Sequence, residues 1–213
     1  MPLKGSILLA SEDKPKLLAD PQARIQRRAQ LQESHIARLT KFVGALRREY
    51  GPRMSIPDFD PWDGGVDGEI LYLLEAPGPQ AVASGFVSRN NPDETAKNFF
   101  QLNAEAKIPR KRTVTWNVVP WYIGNSEGIR AAKRTDLEQG AHLLPKLLSL
   151  LPKLRAVVFV GRKSEDARGT VMEQLPNVKI FFCPHPSPQC LNTSPANRQR
   201  LLDVLREVAA VIF

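Results

Sequence analysis

Cys183-Pro184-His185-Pro186-Ser187-Pro188-Gln189-Cys190 places one of the chain's three histidines in a loop stiffened by prolines. Proline fixes φ and pushes the residue before it toward extended conformations, so the imidazole and the backbone after it are aimed with little entropy left to lose. Two other stretches carry groups of the kind that catalysis uses. In Glu75-Ala76-Pro77-Gly78-Pro79 a carboxylate precedes a Pro/Gly turn whose backbone can approach a ligand closely. In Trp116-Asn117-Val118-Val119-Pro120-Trp121-Tyr122 a carboxamide stands among aromatics. Taken singly, Glu75 reads equally as a helix cap, Asn117 as a turn tie and Trp121 as core. Gathered at one place, a carboxylate, a carboxamide and an imidazole make a candidate active site.

The surrounding pattern gathers them. Short apolar runs at Ile70 to Leu74, Thr113 to Val119, Ala156 to Val160 and Val178 to Phe182 read as strands buried on both faces. Helical segments are expected at Pro92 to Ala106, Thr135 to Leu151, Lys163 to Gln174 and Pro195 to Ile212. The last has a clear start, with Ser194 as N-cap and Pro195 at the first helical position. This alternation predicts an α/β fold, a three-layer α/β/α domain over residues 69–213 around a mainly parallel four-stranded sheet. A parallel sheet brings the C-terminal ends of its strands to one edge, where open α/β sheets bind ligands. Glu75, Asn117 and His185 each follow or end such a strand.

Residues 1–68 read as an N-terminal helical arm and linker packed on that domain. Lys14 to Tyr50 carries Ile25, Leu31, Ile36, Leu39, Val43 and Leu46 at helical spacing, and its cations, Arg24, Arg27, Arg28, Arg38, Lys41, Arg47 and Arg48, are expected on a solvated face. Gly51 to Gly68 reads as a linker or wrapping loop without regular structure. The chain of 213 residues carries a net charge of +8, which favours a polyanionic partner such as nucleic acid. Two cysteines form neither a disulfide framework nor a four-ligand metal site, so a reducing cytoplasm is expected. No apolar run approaches the length needed to span a membrane, and Met1 to Ala10 is too short and weakly charged for a secretory signal. Cys183 and Cys190 flank His185 without a recognisable nucleophile elbow, which argues against a cysteine or serine hydrolase.

These residues resemble the uracil-DNA glycosylase superfamily over roughly Glu69 to Phe213. Leu74-Glu75-Ala76-Pro77-Gly78 is similar to the Gly-Glu-Ala-Pro-Gly loop of its iron–sulfur branch, with Leu for the first Gly. Gly85-Phe86-Val87-Ser88-Arg89 resembles the segment that supplies an aromatic for the base to stack on. Trp116-Asn117-Val118-Val119 resembles the strand whose Asn reads uracil, and His185-Pro186-Ser187-Pro188 the His-Pro-Ser-Pro motif of the best-known branch. The order and separations agree, and the combination is far more specific than any one piece. Two departures stand out. The cysteines that hold the cluster are missing, with Pro120 and Trp121 after the recognition Asn, and two thiols cannot hold such a cluster, so no cofactor or metal is expected. Ala76 stands where the best-known branch has the water-orienting aspartate, which leaves Glu75 as the substitute.

The resemblance implies a monofunctional enzyme that flips uracil out of single- or double-stranded DNA and hydrolyses its glycosidic bond, as a monomer in the cytoplasm, nucleoid-associated in a bacterium. His185 would donate to the charge developing on uracil O2, and Glu75 would orient water. Asn117 would accept from N3–H and donate to O4, Phe86 would stack on the base, and Ala76, Pro77 and Gly78 would line it. Ser187 and Pro188 would grip the strand, with Gln189 or Leu191 entering the gap in the stack. Arg110, Lys111 and Arg112, together with Arg130, Lys133 and Arg134, are candidates for phosphate contacts. The alternatives are a relative with a shifted damaged-base preference, and a catalytically silent DNA-binding protein that keeps the fold, an alternative that Ala76 keeps open.

Overall fold

The computed structural model describes residues 12–125 and 128–213. Asp20 caps helix α1 (Pro21–Ala29) by accepting from the Gln22 N–H, and Pro21 opens the helix where no backbone donor is needed. Helix α2 (Ala37–Tyr50) follows, then an extended segment containing the short strand β1 (Asp58–Phe59). Beyond it come β2 (Ile70–Leu74), α3 (Pro79–Ser84), β3 (Phe86–Val87), α4 (Glu94–Glu105), β4 (Thr113–Asn117), β5 (Gly124–Asn125) and β6 (Gly128–Ile129). The chain closes with α5 (Arg134–Ala141), α6 (Leu144–Leu148), β7 (Ala156–Val160), α7 (Arg168–Gln174), β8 (Lys179–Cys183), α8 (Pro188–Thr193) and α9 (Pro195–Ile212).

The strands β4, β2, β7 and β8 pair in that order as one all-parallel sheet. Side chains alternate across it. Leu71, Leu73, Val114, Trp116, Val157 and Phe159 turn to one side, where they meet Leu39, Phe42, Val43 and Leu46 of α2 and Leu137, Leu147 and Val171 of α5, α6 and α7. Ile70, Tyr72, Ala156, Val158 and Val160 turn to the other, against Phe99 and Leu102 of α4 and Leu201, Leu205 and Val208 of α9. Helices therefore cover both faces of a parallel sheet, as burial of two apolar faces requires. The chain leaves β2 first to β4 on one side and then to β7 on the other. The order reverses at β2, which puts a ligand crevice beyond its C-terminal end.

Several expectations need correction. The Gly51 to Gly68 segment is not structureless: β1 pairs in parallel with β3, and Ile56 to Pro61 is buried. Ile25 of α1 points to solvent, while Arg27, expected on the solvated face, is only 1% exposed. The helix expected from Thr135 to Leu151 is two, α5 and α6. At Gly140 a Cβ would come within 2.2 Å of the Val118 carbonyl oxygen, so α5 lies hard against the strand end, and Pro145 opens the next helix. Lys163 to Gln174 begins as a 3-10 turn, Arg162–Ala167, before α7. The last strand lies at the sheet edge rather than buried on both faces, with Lys179 and Phe182 exposed.

Candidate active site

The C-terminal ends of the strands deliver the expected residues to one place. Leu74 at the end of β2 is in register with Asn117 at the end of β4. The Val118 and Val119 N–H groups donate to the Leu74 and Glu75 carbonyls, at 2.8 and 2.9 Å, so the pairing continues through the turn that carries Glu75. A cavity of about 510 Å³ opens there, lined by Glu75, Ala76, Pro77, Gly78, Asn117, His185, Ser187 and Gln189 among others.

His185 follows β8, and its backbone is fixed from two directions. The Asn98 amide on α4 donates to the Pro186 carbonyl at 3.0 Å, and Gly161, after β7, lies so close that a Cβ there would be 3.1 Å from the His185 Cβ. The Ser187 N–H donates to His185 Nδ1 at 3.2 Å. With Nδ1 accepting, the neutral ring carries its proton on Nε2. Burial lowers the His185 pKa below the usual imidazole value, against the opposing pull of Glu75 and Asp93. The ring is therefore a neutral Nε2–H donor at neutral pH.

Asn117 is 2% exposed, and its Nδ2 is buried without a hydrogen-bond partner. Buried amide donors are nearly always paired, which sets this one, on a residue of the cavity wall, apart. Glu75 is half-buried, and its Oε1 accepts from the Ala132 N–H just beyond β6. That bond orients the carboxylate and leaves Oε2 without a protein partner among the described residues.

Other candidates are placed differently. Phe86 is fully buried and does not line the cavity; β3 turns Val87 to the wall instead, because successive strand residues face opposite ways. The aromatic on the wall is Phe99. Gln189 is exposed at the cavity, whereas Leu191 is half-buried, packs against the core on the α4 and α9 side of the sheet and does not line the cavity. Ser187 caps α8 by accepting from the Cys190 N–H, and Pro188 begins that helix without lining the cavity.

The Arg110 to Arg112 cluster lies at the start of β4, the end of the sheet opposite the cavity, and all three cations have partners within the protein. Arg112 pairs with Glu69 and donates to the Ile212 carbonyl. Lys111 is exposed and donates to the Pro61 carbonyl at 3.2 Å. Arg110 is held by Asp60, Asp63, Asp13 and Asn90. Arg27 joins this network, donating to Asp60 and Asn90 and lying 3.7 Å over the Trp62 ring. Burial alone would raise the Asp60 pKa, but Arg110 and Arg27 hold it at about 2. Of the later cations, Arg130 lines the cavity while pairing with Asp136, and Arg134 pairs with Glu138. Lys133 is exposed at the start of α5.

The same network supports a wall that the sequence did not announce. Ser88, Arg89 and Asn91 line the cavity. Ser88 donates to Asp60, and Arg89 donates to Thr113 Oγ1 at 2.8 Å. Asn90 between them accepts from Arg27 and Arg110, and its Nδ2 donates to Asp13 and to the Lys14 carbonyl. Thr115, two residues before Asn117 on the same strand face, also lines the cavity. The period of a strand points to it once Asn117 is chosen.

An iron–sulfur cluster does not fit this chain. Its two cysteines, Cys183 and Cys190, cannot supply the thiolates of such a cluster, and burial raises the Cys183 thiol far above its usual pKa. Among the described residues no group of three or more His, Cys, Asp or Glu is placed to hold a metal ion, and no helix is long and apolar enough to cross a membrane.

The fold is shared with a solved structure. SMUG2 of Pedobacter heparinus superposes with a TM-score of 0.52 at 13% identity, over 84% of this chain and 86% of that one. A putative uracil DNA glycosylase from Methanosarcina acetivorans gives 0.47 at 18% identity, over 67% of this chain and 92% of the other. No curated protein sequence matches the chain. Residues 62–209 match the uracil DNA glycosylase superfamily. The chain belongs to the uracil DNA glycosylase superfamily.

Proposed function

We propose that the protein excises uracil from DNA, with water as the nucleophile and no covalent enzyme intermediate. The carrying observation is the unpaired, buried Nδ2 of Asn117 on the wall of the cavity that also holds His185 and Glu75. That donor suits uracil O4, where cytosine presents an amino group and no acceptor. As the bond between N1 and the sugar C1′ breaks, negative charge grows on the base and positive charge on the sugar. His185 Nε2–H donates to O2 as that charge develops, an interaction stronger in the transition state than in the ground state. Glu75 holds water through its free oxygen; the water oxygen bonds to C1′ as the N1 pair leaves with the uracil anion, one water proton stays on the new hydroxyl, and the other is lost to solvent, from which the anion regains one.

The base reaches the cavity by leaving the stack, at a cost of a few kcal/mol. Gln189, exposed at the cavity, fills the gap in the stack in this reading, and Ser187 contacts the strand backbone. Arg130, a cation on the cavity wall, is available to the strand phosphates, and Phe99 is the aromatic that replaces Phe86 as a surface for the base.

The test is incubation with single-stranded oligonucleotides carrying uracil or other damaged bases, scored for abasic sites and for binding. Abasic sites at uracil support the reading. Binding without abasic sites points to a silent DNA-binding protein, and cleavage confined to other bases overturns the uracil assignment.

A further inference from the structure

We propose that Thr115 is a second base-reading residue, its hydroxyl bonding to the extruded base beside Asn117; this rests on the glycosylase reading above. Thr113, Thr115 and Asn117 share one face of β4, while Val114 and Trp116 enter the core on the other. Their polar atoms differ in one respect. Thr113 Oγ1 accepts from Arg89 and donates to the Arg110 carbonyl, both at 2.8 Å. Thr115 Oγ1 is buried with no partner, as is Asn117 Nδ2, and both residues line the cavity.

A strand position that needed only shape and β propensity would be served by valine, which fills the same volume without burying an unpaired hydroxyl. The missing partner of Thr115 therefore comes from the ligand. Arg89 supports this: its Nε is buried without a partner, and it too lines the cavity. Thr115 lies one pleat repeat deeper than Asn117, about 6.6 Å along the strand, a span that one planar base can bridge. A hydroxyl both donates and accepts, so the matching ligand is a nucleobase that presents a carbonyl oxygen or a ring N–H at the floor as well as the edge read by Asn117.

The experiment compares Thr115→Val, which keeps the shape and removes the hydroxyl, with Thr115→Ser, which keeps the hydroxyl and removes the methyl. Each is measured for single-turnover cleavage of a uracil oligonucleotide, for binding of an oligonucleotide carrying non-hydrolysable 2′-fluoro-2′-deoxyuridine, and for Tm. The proposal expects Thr115→Val to keep or raise the Tm while losing about tenfold in analogue affinity, the effect of one hydrogen bond. Thr115→Ser should bind close to the wild type. A Thr115→Val variant that binds and cleaves like the wild type overturns the proposal, as does activity that follows the methyl instead of the hydroxyl. Wild-type binding of the analogue without cleavage of uracil would sink the glycosylase reading while the two variants still decide Thr115. Wild-type protein that neither binds nor cleaves would sink both.

Discussion

Replacing Gly161 by alanine tests whether the end of β7 sets the position of His185. Gly161 sits at φ +84° and ψ 153°, a region that residues with a Cβ rarely enter, and holding alanine there costs on the order of 1–3 kcal/mol. The added Cβ would also lie 3.1 Å from the His185 Cβ and 3.3 Å from its Cδ2, so the imidazole must give way by a few tenths of an ångström. For a chain of this size each kcal/mol lowers the Tm by about 2–4 °C, so Gly161→Ala should melt roughly 2–12 °C below the wild type. A misplacement of 1 Å can cost about 10²-fold in rate, so a shift of tenths should cost a few-fold to about tenfold in single-turnover cleavage. Affinity for uncleavable DNA should hold. Gly169→Ala is the control, because nothing lies within 4 Å of a Cβ there and the change should be neutral or stabilising. If Gly161→Ala keeps the wild-type Tm and rate, Gly161 does not position His185.

Asn117→Asp should lose uracil discrimination more than stability, because a carboxylate cannot donate to O4; unchanged base preference across a panel of damaged bases would remove Asn117 from recognition. Arg110→Ala should destabilise by about 3–5 kcal/mol in urea unfolding, since it strips a partner from buried Asp60 and Asp63; a stable variant defective only in DNA binding would return Arg110 to the DNA surface. His185 has its pKa lowered by burial, so the unfolded chain binds more protons just below pH 6.5 than the folded one. The contribution of His185 to stability is therefore present above that pH and lost as pH falls through the folded pKa, and its share of activity is lost over the same window. An NMR titration of His185 with a midpoint above 6.5 would contradict this.

Strands β2 and β7 and helix α9 were legible to the residue, because they are buried on both faces or opened by Ser194 and Pro195. The same edge logic located Glu75, Asn117 and His185. What escaped depends on distant partners. Arg27, Asp60 and Arg110 look like surface charges in isolation and are buried only because the fold brings them together. Phe86 and Leu191 lie off the cavity wall for a different reason: a motif gives the residue type but not which way a two-residue strand or a short helix turns it. Thr115 was readable from the period of β4, since Asn117 fixes the face and the residue two earlier shares it.

The central claim is that a neutral, half-buried His185 stabilises charge that appears on uracil only in the transition state. Its most direct measurement is single-turnover cleavage of a uracil oligonucleotide by the wild type and by His185→Ala, beside equilibrium binding of an uncleavable analogue. Removing one such donor should lower the rate on the order of 10²- to 10³-fold with affinity nearly unchanged. Near-wild-type cleavage by His185→Ala would contradict the account and leave His185 an ordinary residue in a proline-stiffened turn.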